Sequence, residues 1–161
     1  MIDTVPPLDT ASPSGPIGSR QHWMSVLARA SAEAIEAGLT RHGALPDWTL
    51  LRGPETGLVM VRGRAGGSGS PFNLGEMTVT RCTVRTETGF VGHAYIPGRD
   101  TRHAELAAVV DALMQDADHA TDLETRVIAQ LERQQAERSA TRASKAAATR
   151  VNFFALQTMR T

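Results

Sequence analysis

Residues 50–81 read LLRGPETGLVMVRGRAGGSGSPFNLGEMTVTR, and how this stretch is divided decides the fold. Trp48–Arg52 and Leu58–Arg64 are short runs rich in Leu and Val with a Trp at their head, the composition of strands, and Gly53, Pro54 and Gly57 between them supply turn residues. The reading is a hairpin. From Leu74 to Thr86, Met77 and Val79 share one parity while Cys82 and Val84 share the other. Side chains alternate across a strand, so burying all four on one face requires a bulge or bend near Thr80 and Arg81. Glu87, Thr88 and Gly89 then turn the chain into Phe90–Ile96, which is expected to pair antiparallel with the preceding strand before Pro97 and Gly98 end the sheet. The result is an antiparallel sheet of about four strands. Its glycine-rich hairpin loop carries seven of the chain's fourteen glycines in the quoted stretch: Gly53, Gly57, Gly63, Gly66, Gly67, Gly69 and Gly75.

Helical periodicity lies on both sides. Trp23, Leu27, Ala30 and Ala34, with Met24, Ser31 and Ile35 alongside, recur at helical spacing; Ser19 is placed to cap this N-terminal helix, and Gly43 and Pro46 to close it. Residues 1–18, rich in Pro, Ser, Thr and Gly, read as a flexible tail ahead of a single domain spanning 19–161. After the sheet, Asp100 or Thr101 can cap a helix whose stripe is Leu106, Val109, Val110 and Leu113. Thr121 and Glu124 have capping-box spacing ahead of Leu123, Val127, Ile128 and Leu131. Gln134–Lys145 is polar and expected to be solvated, whereas Val151, Phe153, Phe154 and Ala155 return apolar surface near the C-terminus. A helix, then antiparallel strands, then helices packed on the sheet give an α+β class, without the alternation of a doubly wound parallel sheet.

Composition narrows the function classes. At 161 residues the chain can bury a core without disulfides, and its single cysteine, Cys82, cannot form an internal bridge, which fits a reducing compartment. The start of the chain has neither the basic region nor the apolar stretch of a signal peptide, and no segment has the apolar length of a membrane span, so the expectation is a cytoplasmic protein without a membrane partner. Seventeen basic side chains balance seventeen acidic ones, so no global field draws in nucleic acid. Sixteen of the cations are arginine and only Lys145 is lysine. Either a preference for planar bidentate contacts or codon composition accounts for that excess.

No self-sufficient catalytic constellation stands in the sequence. Lys145 follows Ser144 and precedes Ala146, so there is no Walker-type loop; Gly63, Gly66, Gly67 and Gly69 miss the dinucleotide-binding spacing. His22, His42, His93, His103 and His119 form no zinc motif, and no intrinsic metal or cofactor is expected. Cys82 fits a small core hydrophobe better than a nucleophile, and Glu55, Glu76, Asp100 and Glu105 fit turn, cap and ion-pair roles with Arg62, Arg64, Arg81 or Arg99 better than proton transfer. His103 and Glu105 stand at a helix start, where capping is the commoner role. Arg62 and Arg64 are the exception. They share a parity directly before the glycine loop, and with Arg81 they edge a turn whose amides could receive phosphate or carboxylate.

Four separated strings, WMSVLARA from Trp23, LLRGPETGLVMVRGRAGGSGSPFNLGEMTVTRC from Leu50, GRDTRHAELAAVVDAL from Gly98 and AAATRVNFF from Ala146, resemble the PhnG family in the right order, from about Arg20 to Arg160. PhnG is a subunit of the bacterial carbon–phosphorus lyase system. The resemblance implies action with PhnI, PhnH and PhnL to join a phosphonate to the ribose C1 of ATP, with adenine released. It also implies an assembly that includes PhnJ, the radical-SAM subunit that later breaks the carbon–phosphorus bond. ATP, with Mg, is then substrate of the assembled complex, and the nucleosidase-like chemistry is PhnI's, leaving this chain an obligatory partner.

Two arrangements follow from that likeness. In one, the loop from Arg62 to Glu76, including Pro71, Phe72 and Asn73, together with Arg81, Phe153 and Phe154, holds PhnI. In the other, Arg62, Arg64 and the Gly66, Gly67 and Gly69 amides contribute to a phosphate site shared across the subunit boundary. A stand-alone small-anion binding module is the reading from another class.

Overall fold

The computed structural model describes residues 16–64 and 69–149. Two helices, α1 (Pro16–Ala28) and α2 (Ala32–His42), precede three strands, β1 (Trp48–Gly63), β2 (Phe72–Thr86) and β3 (Val91–Pro97). Helices α3 (Thr101–Leu113), α4 (Ala117–Leu123) and α5 (Ala129–Ala148) follow, with a π-helical turn, Glu124–Ile128, joining the last two. The sheet is antiparallel in the order β1-β2-β3.

The single N-terminal helix expected from periodicity is two helices. Ser31 breaks it, its hydroxyl accepting from the Ala34 N–H at 3.3 Å as the cap of α2. Ser19 lies inside α1. Gly43, at φ +105°, closes α2 by donating its N–H to the Leu39 carbonyl.

The sheet has three strands, not four. Trp48–Arg52 and Leu58–Arg64 belong to one sixteen-residue strand, and Gly53 and Pro54 sit within it where the pairing shifts between Leu50 and Arg52 and again between Arg52 and Glu55. Because β1 is an edge strand, a proline without an N–H is tolerated there, and the irregularities absorb what the sequence suggested was a turn. The bulge expected at Thr80 and Arg81 is likewise absent: β2 runs in unbroken register against β3 from Val79 to Arg85. Thr80, Cys82, Val84 and Thr86 are buried on one parity; of the other parity Val79 is buried as well, and Met77 stays exposed. Of the four apolar side chains only Met77 is left out, so no bulge is needed to bring it in.

Helix α3 covers the sheet. Asp100 caps it, accepting from the His103 N–H at 2.9 Å, and beyond the Leu106, Val109, Val110 and Leu113 stripe its Ala104, Ala107, Ala108, Asp111 and Ala112 are buried too. It is sandwiched between the sheet and the N-terminal helices, which is why its sequence is apolar nearly all round. Gly92 on β3 permits the close approach: a Cβ there would strike the Ala108 carbonyl and the Ala112 backbone. Helix α4 starts at Ala117, capped by Asp116, so Thr121 and Glu124 form no capping box; Thr121 is mid-helix. The Leu123, Val127, Ile128 and Leu131 stripe is buried as expected, against α1 and α2.

Candidate functional site

The core draws on α1, α2, α3, the α4–α5 segment, β3 and the end of β2 from Val79 onward, and takes no buried residue from β1 or from β2 before Val79. Strand β3 ends opposite Val79, so Leu58–Gly63 and Phe72–Thr78 continue as a two-stranded ribbon with nothing beside it in the sheet, about 20 Å long at the rise of a strand. Cross-strand partners share a face. Leu58 and Met60 pair with Thr78 and Glu76 on one face; Val59 and Val61 pair with Met77 and Gly75 on the other. Leu58 and Leu74 are each 63% exposed, and Met60, Phe72 and Met77 are also open to solvent. The ribbon is thus apolar on both faces and buried on neither, a contiguous surface of the kind that marks a binding interface.

The residues expected at a site fall into two groups. Arg62, opposite Asn73, and Gly63, opposite Phe72, stand at the ribbon's far end with Arg64, Pro71 and the half-buried Gly69. Arg62 and Arg64 are exposed and have no ion-pair partner among the described residues. Glu76 lies midway along the ribbon, exposed. Arg81 does not edge the loop: it pairs with Glu55 at the ribbon's base, its Nε 2.6 Å from the Glu55 carboxylate. A two-residue hairpin would have brought it close; the long strands carry it about nine residues away. Gly66, Gly67, Phe153 and Phe154 lie outside the described residues.

Two polar clusters went unread in the sequence. Asp111, with no exposed side-chain surface, accepts from Arg20 Nε at 3.1 Å and Nη2 at 2.7 Å, from Trp23 Nε1 at 2.9 Å and from the His93 N–H at 2.8 Å. A single carboxylate therefore ties α1, α3 and β3 together. Its signal was present: an acid inside the apolar run AAVVDAL must be buried with partners. The second cluster joins α2 to α4. His42 Nδ1 lies 2.6 Å from Asp122 and its Nε2 3.0 Å from His119 Nδ1, each within hydrogen-bond distance, and Arg126 Nε lies 2.5 Å from the other Asp122 oxygen. The hydrogen bond from His42, then the charge of Arg126, holds the Asp122 carboxyl below its ordinary pKa. No sequence spacing connects residues eighty positions apart.

Cys82 is buried, its thiol directed to the Arg52 carbonyl at 3.5 Å, and burial pushes its pKa up, away from the thiolate a nucleophile needs. Among the described residues no grouping of three or more His, Cys, Asp or Glu side chains could hold a metal ion, and no helix is long and apolar enough to cross a membrane.

Residues 18–159 match the family described as phosphonate metabolism protein PhnG. The chain is 44% identical over 159 residues to the alpha-D-ribose 1-methylphosphonate 5-triphosphate synthase subunit PhnG of Rhizobium meliloti (strain 1021), covering 97% of each. This chain belongs to the PhnG family of phosphonate metabolism proteins.

Proposed function

We propose that this protein is a non-catalytic assembly subunit of a ribose 1-phosphonate 5-triphosphate synthase, and that the β1–β2 ribbon is the part that docks. The relative named as a subunit of such a synthase supports the pathway. The observation that carries the docking role is the ribbon itself. An isolated two-stranded hairpin is at best marginally stable in water, and this one exposes Leu58 and Met60 on one side and Met77 on the other while giving nothing to the core. A partner that clamps both faces resolves that conflict, with Phe72 as the aromatic anchor and Pro71, Asn73 and Glu76 in the contact rim.

In this reading PhnI is the direct partner and PhnH, PhnJ and PhnL belong to the wider cytoplasmic assembly. ATP, with Mg, is substrate of the whole. Arg62 and Arg64, without an ion-pair partner among the described residues, then meet a phosphate or a carboxylate across the boundary from the ribbon's end, and the Gly66, Gly67 and Gly69 amides are assigned to the same shared site. Phe153 and Phe154 extend the same role.

The test is co-purification with the remaining subunits. Leu58→Glu and Met77→Glu act on opposite faces and touch no core residue, so each chain is expected to fold, by circular dichroism, and to lose its partners. Stoichiometric recovery of both variants in the complex would overturn the docking role. Arg64→Ala separates the two functions of the tip: lost assembly assigns it to docking, whereas retained assembly with weakened nucleotide binding assigns it to the shared site.

A further inference from the structure

We infer that a concave site between α5 and the end of α1, far in sequence from the ribbon, binds a small molecule carrying a phosphate-type oxyanion. The site is a cavity of about 490 Å³ lined by Arg29, Pro97, Gln135, Arg138, Ser139 and Arg142. Three arginines line it and no aspartate or glutamate does. Arg29, Arg138 and Arg142 have no ion-pair partner among the described residues.

The walls are positioned by ordinary hydrogen bonds. Arg29 donates from Nε to the Ser25 carbonyl and from Nη2 to the Ser25 hydroxyl, each at 3.0 Å, which fixes its plane. Gln135 Nε2 donates to the Val26 carbonyl at 2.8 Å and pins α5 against the end of α1. Arg138, Arg142 and Lys145 follow at i, i+4 and i+7 on α5, so they share a face, and a second groove of about 450 Å³ runs along it, lined by these three with Glu137 and Thr141. Between Gln134 and Lys145 three cations stand against one acid, Glu137, in a chain whose overall charge is zero. Like charges gathered in a concavity repel unless a counter-anion joins them, and guanidinium forks match tetrahedral oxyanions bidentately. The volume exceeds one phosphate group and suits a phosphorylated small molecule or a short polyphosphate.

The experiment uses the full chain and inorganic triphosphate as probe, followed by calorimetry at low salt and by amide chemical shifts. Saturable binding is expected, with shifts at Ala28 and Ser139, and R138A/R142A is expected to weaken it about tenfold or more. Arg133→Ala removes a charge from the same helix outside both grooves and is expected to leave affinity nearly unchanged. Binding that does not saturate, that survives R138A/R142A, or that falls equally in R133A would overturn the site. So would displacement of triphosphate by a short poly-glutamate peptide at lower concentration, which would make the groove a peptide contact.

Discussion

Asp111 concentrates the residue-scale physics of this protein. A buried carboxylate is tolerated when its lone pairs are filled, and Arg20, Trp23 and the His93 N–H fill them from two neighbouring elements. Asp111→Ala strands these donors, and a loss of about 3–5 kcal/mol is expected, measured as a fall in the urea midpoint at unchanged slope. Asp122 behaves differently because it is partly exposed. Its carboxyl is held below the ordinary range by His42 and Arg126, so the charged form is favoured in the folded chain. The stabilisation is complete above the unfolded carboxylate pKa and fades as pH falls through the lowered folded value. In acid titrations of stability, Asp122→Asn is therefore expected to flatten the curve below about pH 4 and to match the wild type's slope near neutrality. Cys82 should resist alkylation in the native state and react at a rate that tracks unfolding, since burial raises its pKa and closes access. Rapid labelling of the folded chain would contradict that burial.

At the scale of elements, the hairpin divides into a base that belongs to the domain and a ribbon that does not. Residues 80, 82, 84 and 86 of β2 are buried beneath α3, and β3 pairs alongside them in the sheet. The outer edge of β3 is blunted: Asp111 takes the His93 N–H, Gln115 donates to the Val91 carbonyl at 2.9 Å, and Pro97 has no N–H to offer. The ribbon has no such protection. Replacing residues 58–78 by an Asn-Gly turn between Gly57 and Val79 should leave cooperative unfolding intact, with a midpoint shifted by less than a core substitution would cause. Loss of folding would show that the ribbon supports the domain after all. Gly92→Ala sets the comparison: its Cβ would push α3 off β3, and a loss of about 3 kcal/mol is expected.

For the molecule as a whole, the unsatisfied surface predicts behaviour that no single element does. Apolar side chains on both faces of a projecting ribbon favour self-association of the chain when purified alone, rising with concentration and relieved by Leu58→Glu. Sedimentation velocity across a concentration series checks this. If the non-catalytic role proposed above holds, the isolated chain is expected to release no adenine from ATP, measured by chromatography of the reaction mixture.

Much of this architecture was legible along the chain. The β3 pairing, the Asp100 cap and the two apolar stripes of α3 and the α4–α5 segment follow from periodicity and local hydrogen bonding, which act over a few residues. The glycine-rich stretch was recognisable as a hairpin tip for the same reason. Whether Gly53 and Pro54 turn the chain or are carried along within an edge strand depended on the length of the partner β2, and whether Met77 and Val79 had to share a face with Cys82 depended on how far β3 reached. Asp111 with Arg20, His42 with Asp122, and Arg29 with Arg138 and Arg142 meet only because helices distant in sequence pack side by side. Alternation and capping are properties of neighbours in the chain, and the sequence determines them; side-chain partnership across the core and the exposure of the ribbon are properties of neighbours in space, which only the packed molecule decides.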